Sequence, residues 1–137
     1  MPIDTVEALG RVPLLSGLDP KELNQLAASF TERAFPAGTV VVKQGDERGI
    51  GFFVITDGSA RVSADGQDIA VLGPGDHFGE IALIGERVRT ATVTAETDLQ
   101  TLVTTVWEFR AFVSSKPETA WKLLEHLAGL LAERKPA

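Results

Sequence analysis

The spacing of apolar residues changes twice along this chain, from helical at the start to alternating in the middle and back to helical at the end. Residues 3–9 carry apolar side chains every three residues, which is typical of a short amphipathic helix. Asp19-Pro20 is a typical helix start, with the acid at the N-cap and proline at the first helical position. Residues 1–28 are therefore predicted to form N-terminal helices.

Residues 29–106 contain short, β-branched apolar runs separated by glycine-rich turns. Asp57-Gly58 and Asp65-Gly66 have the composition of tight hairpin turns. Many short strands at near-regular spacing predict a compact β-roll or barrel. The predicted strands cover residues 39–42, 52–55, 60–63, 69–72, 90–95 and 99–106.

Helical spacing returns after residue 106. Residues 107–113 predict a short helix, and Pro117 begins a second helix that is predicted to end at Arg134. This helix has a wide apolar face, formed by Ala120, Trp121, Leu123, Leu124, Leu127, Leu130 and Leu131. Because the chain stops at Ala137, we expect no helix-turn-helix module after it; the alternative is that the sequence is a piece of a longer protein with a further domain beyond Ala137.

Composition narrows the class of protein. A chain of 137 residues with 44% hydrophobic and 23% charged residues is expected to form one soluble domain, residues 1–137. The net charge of -6 argues against a nucleic-acid partner, which would need a basic face. The N-terminus has no signal-peptide pattern and no run approaches 18 apolar residues, so we expect no membrane span and a cytoplasmic location.

Catalysis and metal binding are not expected. The chain contains no cysteine, which excludes disulfides and zinc–thiolate sites. A small-barrel metalloenzyme would need a histidine cluster in its strands, but His77 and His126 are the only histidines and lie far apart in the sequence. No arrangement of a nucleophile and a base is apparent either. We therefore predict neither an enzyme nor a cofactor.

Residues 78–93 contain the chemistry of an anion site. Gly79 has no Cβ, so backbone can approach a ligand closely there. Residues 79–83 are predicted to form one helical turn, whose first N–H groups lack intrahelical partners. Arg89 adds a permanent positive charge that suits phosphate, and ionised Glu80 can accept a hydrogen bond from a sugar hydroxyl. Together these groups indicate a ribose-phosphate pocket.

The same segment resembles the phosphate-binding cassette of cyclic-nucleotide-binding domains, in the motif Phe78-Gly79-Glu80-Ile81-Ala82-Leu83 followed by Arg89-Thr90-Ala91-Thr92-Val93. These domains occur in protein-kinase regulatory subunits, cyclic-nucleotide-gated channels and bacterial catabolite-activator regulators. The resemblance implies a mainly β fold with flanking α-helices. It is a double-stranded, jelly-roll-like β-roll at 29–106 that contains the cassette 78–93, with N-terminal helices and C-terminal hinge or lid helices at 107–134.

The resemblance also assigns roles within the cassette. Arg89 would pair with the cyclic phosphate and Glu80 would accept a hydrogen bond from the ribose 2′-hydroxyl. A plain surface ion pair with Glu86 is the alternative for Arg89, and N-terminal helix capping is the alternative for Glu80. The predicted ligand-binding residues are Phe78, Gly79, Glu80, Ile81, Ala82, Arg89, Thr90, Ala91, Val71 and Val62.

The walls and lid of the pocket are predicted from apolar residues in the strands and the last helix. Trp121 or Leu124 would cover the base, although a core position is the alternative for Trp121. The segment 45–58 is one residue longer than the usual family spacing, around Gly49 and Gly51. We expect this difference to change only a loop. The predicted walls are Val62, Ile69, Val71, Leu72, Ile81 and Val93.

The resemblance implies a sensor that binds a 3′,5′-cyclic nucleotide and moves its C-terminal helices. Cyclic AMP is favoured because the compact, self-standing chain looks bacterial, while Thr90 leaves cyclic GMP open. The alternative is a degenerate domain that binds no nucleotide. It would form a homodimer or bind an effector protein through the apolar residues of the last helix, Leu123, Leu127, Leu130 and Leu131.

Overall fold

The computed structural model describes residues 4–46, 51–79, 89 and 91–134, apart from the side chains of residues 14, 130, 133 and 134. It confirms the predicted mainly β fold with helices at both ends. The elements are α1 (Thr5–Gly10), a 3₁₀ turn (Pro13–Leu15), α2 (Pro20–Ala27), β1 (Thr31–Phe35), β2 (Val40–Val42), β3 (Gly51–Asp57), β4 (Ala60–Ala64), β5 (Gln67–Leu72), β6 (His77–Phe78), β7 (Thr92–Ala95), β8 (Leu99–Thr105), α3 (Val106–Ser114) and α4 (Pro117–Arg134).

Two strands and one helix boundary differ from the sequence prediction. β1 and β6 were not predicted, since β1 has a single buried side chain, Phe35, and β6 is only two residues long. Val106 was predicted to end β8, yet it begins α3. The Thr105 side chain accepts a hydrogen bond from the backbone N–H of Glu108 and so caps the helix one residue earlier than expected.

The strands form two antiparallel four-stranded sheets, in the orders β1-β8-β3-β6 and β2-β7-β4-β5. β3 lies inside the first sheet, between β8 and β6. Its alternate side chains enter two different cores, since Phe52 and Val54 pack with the helices while Phe53 and Ile55 pack with residues of both sheets. This two-sided burial explains why β3 is a continuous apolar run in the sequence.

The C-terminal helix α4 packs on the N-terminal helices through a polar contact. Glu22 of α2 accepts hydrogen bonds from the Thr119 hydroxyl and from Lys122 Nζ, the latter at 2.6 Å. His126 of α4 contacts the carbonyl oxygen of Pro13 and the Ser16 hydroxyl. None of the helices within the described residues is long and apolar enough to cross a membrane.

The pH dependence of stability should report the Glu22 contact. Hydrogen bonds from Lys122 and then Thr119 lower the pKa of Glu22 from its ordinary 4.5 to about 2. A lowered pKa stabilises the fold above pH 4.5, and this contribution is lost as the pH falls toward 2. Glu22→Gln should therefore lower the free energy of unfolding by about 1 kcal/mol at pH 7 and by less at low pH, as measured by urea unfolding.

A matched control is Glu7→Gln, which removes an exposed ion pair with Arg11. Such pairs contribute little to stability, so this variant should stay close to the parent protein at both pH values. An effect of Glu22→Gln that is equal at pH 7 and at pH 2.5 would contradict the assignment.

Candidate functional site

Arg89 is buried, with only 8% of its surface exposed. Its Nη2 donates a hydrogen bond of 2.8 Å to the carbonyl oxygen of Gly51, the first residue of β3. Its backbone is held on both sides, because the N–H of Gly45 donates to the Arg89 carbonyl at 2.8 Å and the Arg89 N–H donates to the Asp46 carbonyl at 3.0 Å. Contacts within the protein therefore define the position of Arg89.

Gly79 makes room for this guanidinium. Its φ of +86° lies in the left-handed region that favours glycine. A Cβ at this position would lie 2.6 Å from Arg89 Nη1 and 2.6 Å from the Gly51 carbonyl oxygen. Both distances are shorter than carbon can approach nitrogen or oxygen without displacing them. Glycine is thus required here twice, for the backbone conformation and for the space that Arg89 occupies.

The electrostatics of Arg89 favour an anionic partner. Burial lowers the pKa of the guanidinium by desolvating it, and the negative charge of Asp46 partly opposes this. The group stays protonated, because arginine keeps its charge in proteins. Its buried Nε has no hydrogen-bond partner among the described residues. A buried donor of a charged group without an acceptor is costly, and a phosphate oxygen is an acceptor of suitable geometry.

A stacked pair of aromatic side chains lies next to Gly79 in the chain. Phe78, next to Gly79, stacks on Phe53 with a ring centroid distance of 4.8 Å and an angle of 11° between the planes. A Cβ on Gly51 would lie 3.0 Å from the Phe53 ring, so the small size of Gly51 also allows this stack. Phe78 is a buried core residue, and its packing fixes where the chain enters Gly79.

The structure places the predicted wall residues in different environments. Val93 is buried in the core between the sheets, and Val62 and Leu72 are half-buried beside it. Ile69 and Val71, on the edge strand β5, are 62% and 63% exposed. Val71 pairs directly with Arg61 of β4 and so shares the sheet face that carries the surface ion pairs of Arg61, opposite to the face of Val62. The structure therefore does not bring Val71 together with Val62 on one wall.

The two predicted lid residues are also exposed. Trp121 is 64% exposed and Leu124 is 57% exposed, whereas Leu123 of the same helix is buried in the helical core. The core alternative therefore does not describe Trp121 in this arrangement. Ala91, which immediately precedes β7, is half-buried.

Several predicted site residues lie outside the described residues, namely Glu80, Ile81, Ala82 and Thr90, together with the predicted helical turn at 79–83 beyond its first residue. Sequence reasoning missed Gly51 as a partner of Arg89. Gly51 contacts Arg89 through its backbone carbonyl, and a backbone acceptor leaves no mark in a sequence.

Comparison with known proteins identifies relatives for most of this chain. Residues 32–116 match the model of a family described as the cyclic nucleotide-binding domain. The cAMP-dependent protein kinase regulatory subunit of Schizosaccharomyces pombe is 44% identical over 93 residues, which cover 67% of this chain and 22% of that protein. Glutaminase 2 of Bradyrhizobium diazoefficiens is 35% identical over 126 residues, which cover 92% of this chain and 20% of that protein.

Among solved structures, the N-terminal domain of a transcriptional regulator from Streptomyces coelicolor A3(2) superposes with a TM-score of 0.86 and 31% identity, covering 95% of this chain and 96% of that one. The chain spans about a fifth of the length of the two curated relatives. These relatives therefore share with this chain only one part of a longer protein. The activity of the whole relative is not assigned to this chain.

Proposed function

This chain belongs to the cyclic nucleotide-binding domain family, and from this we propose that it binds a 3′,5′-cyclic nucleotide, with preference for cyclic AMP, as a regulatory sensor. The observation that carries the proposal is the Arg89 guanidinium. It is buried, held by the Gly51 carbonyl beside Gly79, and its Nε lacks a partner among the described residues. A cyclic phosphate would supply the missing acceptor and the opposite charge.

We assign the remaining roles from the cassette motif. Glu80 accepts a hydrogen bond from the ribose 2′-hydroxyl, while the backbone at Gly79 and Ala82 contacts ribose and phosphate. Thr90 lies next to Arg89 and offers an amide and a hydroxyl to the ligand. The base lies against apolar side chains, for which the exposed Ile69 and the half-buried Val62 are available.

The choice of cyclic AMP is supported by the name of a relative, the cAMP-dependent protein kinase regulatory subunit of fission yeast. The proposal includes no catalytic step, and the described residues contain no cluster of three or more potential metal ligands. The single domain over residues 1–137 and the cytoplasmic location stay predictions.

Titration calorimetry of the purified chain with cyclic AMP, and with cyclic GMP in a parallel run, tests the proposal directly. We expect binding at micromolar concentration or tighter for one of the two ligands, with cyclic AMP the tighter. Tighter binding of cyclic GMP would overturn the base preference alone. No heat from either ligand would contradict the proposed function.

The sensor part of the proposal concerns α4. In the structure, α4 packs on the N-terminal segment through Glu22 and Pro13, and its residues Trp121 and Leu124 are exposed. We propose that ligand binding draws α4 over the base, so that these apolar side chains become covered. The ligand favours this arrangement only by its higher affinity for it.

Tryptophan fluorescence tests this movement. In a Trp107→Phe variant, Trp121 is the one remaining tryptophan of the two in the chain. Saturating cyclic AMP should shift its emission to shorter wavelength, because an indole that is now 64% exposed would lose contact with water. Trp121→Phe, which keeps Trp107, is the control and should shift less. An unchanged Trp121 emission at a ligand concentration that calorimetry shows to be saturating would refute the movement.

A second candidate function is a protein-interaction module without nucleotide binding. The structure corrects the residues predicted for it, because Leu123 is buried in the helical core and Leu127 packs against that core. It is favoured instead by the exposed apolar residues Trp121, Leu124 and Leu131 along α4. This alternative predicts a stable dimer in size-exclusion chromatography together with no heat in the calorimetric titrations. The same two measurements therefore separate it from the sensor.

A further inference from the structure

Gln44 makes a two-point contact with the β4–β5 hairpin. Its side-chain Nε2 donates a hydrogen bond of 3.0 Å to Asp65 Oδ1, and its Oε1 accepts one of 2.9 Å from the backbone N–H of Asp65. Asp65 has a φ of +52°, a left-handed conformation that aspartate and asparagine tolerate better than most residues. We call this pair of hydrogen bonds the Gln44–Asp65 clasp.

The segment around Gln44 is also tied to β7. The backbone N–H of Gln44 donates a hydrogen bond of 2.9 Å to the Thr92 hydroxyl. Thr92 in turn pairs with Ser63 of β4. Gln44 therefore joins the turn that follows β2 to the hairpin and to the strand next to it, although it contributes nothing to either apolar core.

The residues immediately after Gln44 hold Arg89. Gly45 donates to the Arg89 carbonyl and the Asp46 carbonyl accepts from the Arg89 N–H, so both backbone groups of Arg89 bond to this turn. Any shift of the turn must then shift Arg89 or break these two bonds. The position of the guanidinium matters, because polar sites tolerate displacements of only about 0.5 Å.

We propose that Gln44 is a positioning residue for the anion site, acting on Arg89 through the clasp and the turn at residues 43–46. This inference rests on the proposed function, in which Arg89 binds the cyclic phosphate. The expected consequence is that breaking the clasp weakens ligand binding although Gln44 does not touch the ligand. Asp65, on the opposite side of the clasp, should have the same effect.

The amide and the carboxylate of the clasp can be exchanged between residues 44 and 65. Gln44→Glu places two carboxylates against each other and removes one hydrogen-bond donor. Adding Asp65→Asn returns a side-chain donor, leaves an acceptor for the Asp65 backbone N–H, and restores the net charge. Asparagine also accepts the left-handed backbone at this position. We expect Gln44→Glu to weaken cyclic AMP binding by about tenfold, comparable to the loss of one hydrogen bond, and the double variant to return within about threefold of the parent.

Gln67→Glu is the matched control. It adds the same charge to the same hairpin at an exposed position that pairs with Ala64, outside the clasp. Its affinity should stay near that of the parent protein. Thermal unfolding of all variants shows whether each one is folded before its affinity is compared.

A second readout follows Arg89 itself in the protein without ligand. The Nε–H resonance of Arg89 in the ¹⁵N NMR spectrum, identified by its loss in Arg89→Lys, should move and exchange faster with water in Gln44→Glu. In the double variant, the resonance should return to its parent position and its parent rate of exchange with water. A purely structural role would alter the unfolding temperature without moving this signal.

The inference would be overturned if folded Gln44→Glu kept both the parent affinity and the parent Arg89 signal. It would also be overturned if the double variant restored neither the affinity nor the Arg89 signal. If the parent protein binds neither cyclic nucleotide, the proposed function fails, and the Arg89 signal still decides whether Gln44 positions that side chain. The two failures are thus distinguishable.

Discussion

Arg89→Ala is expected to weaken cyclic AMP binding by roughly 30-fold or more, since truncating one partner of a buried charged pair costs about 2–5 kcal/mol. The parent guanidinium is buried, charged and already held by the Gly51 carbonyl. The ligand therefore meets a group that needs little reorganisation, which is the condition under which a charged contact contributes most. Titration calorimetry with cyclic AMP measures the effect.

Arg61→Ala is the control for this substitution. Arg61 lies in β4 and forms ion pairs with Asp68 and Glu96 on the protein surface. Its removal takes away the same charge without touching the candidate site, so affinity should stay within about twofold of the parent value. An affinity of Arg89→Ala equal to that of Arg61→Ala would exclude Arg89 as the phosphate ligand.

Gly79→Ala is expected to reduce cyclic AMP affinity by roughly 100-fold, the effect of about 3 kcal/mol. Its new methyl group would lie 2.6 Å from both Arg89 Nη1 and the Gly51 carbonyl oxygen, so both groups or the backbone at residue 79 must move. Either movement disturbs the packing that orients the guanidinium. The left-handed backbone adds about 1–2 kcal/mol of strain, which should also lower the thermal unfolding temperature.

Gly38→Ala separates the effect of the backbone strain from the effect of the steric clash. Gly38 has nearly the same φ as Gly79, +90° compared with +86°, but a Cβ there would have no atom within 4 Å. This variant carries the strain without the clash, so its unfolding temperature should fall while its ligand affinity stays near that of the parent. Equal affinities for Gly79→Ala and Gly38→Ala would show that the space next to Arg89 is not needed for binding.

The sequence predicted those parts of the fold that local patterns control. α4 begins at Pro117 and ends at Arg134 as expected, and α2 begins at Pro20 after the Asp19 cap. The hairpin at Asp65-Gly66 is present between β4 and β5. β1 was missed because its residues are mostly exposed and its pairing with β8 is far apart in sequence. Long-range pairing leaves no local periodicity to detect.

The chemical groups of the candidate site were predictable from the sequence, whereas the contacts that hold these groups in place were less so. Arg89 and Gly79 were selected from the motif, and the structure brings them together. Gly79 was expected to leave room for a ligand, which stays a prediction, and the structure shows that it leaves room for Arg89. The clasp of Gln44 was not predicted, because a glutamine with a distant hydrogen-bond partner looks like any polar surface residue.

The sequence by itself determined the class of this protein: a mainly β domain with helices at both ends and a cassette motif that matches a cyclic nucleotide-binding family. Short-range composition, turn chemistry and residue spacing are sufficient for this, because each acts within a few residues. Only the tertiary structure decided what surrounds the charged group. Arg89 is buried against a backbone carbonyl 38 residues away in the sequence, and Glu22 contacts a helix about 100 residues away. Such contacts depend on how the sheets and helices pack, and packing brings together residues that no local pattern connects.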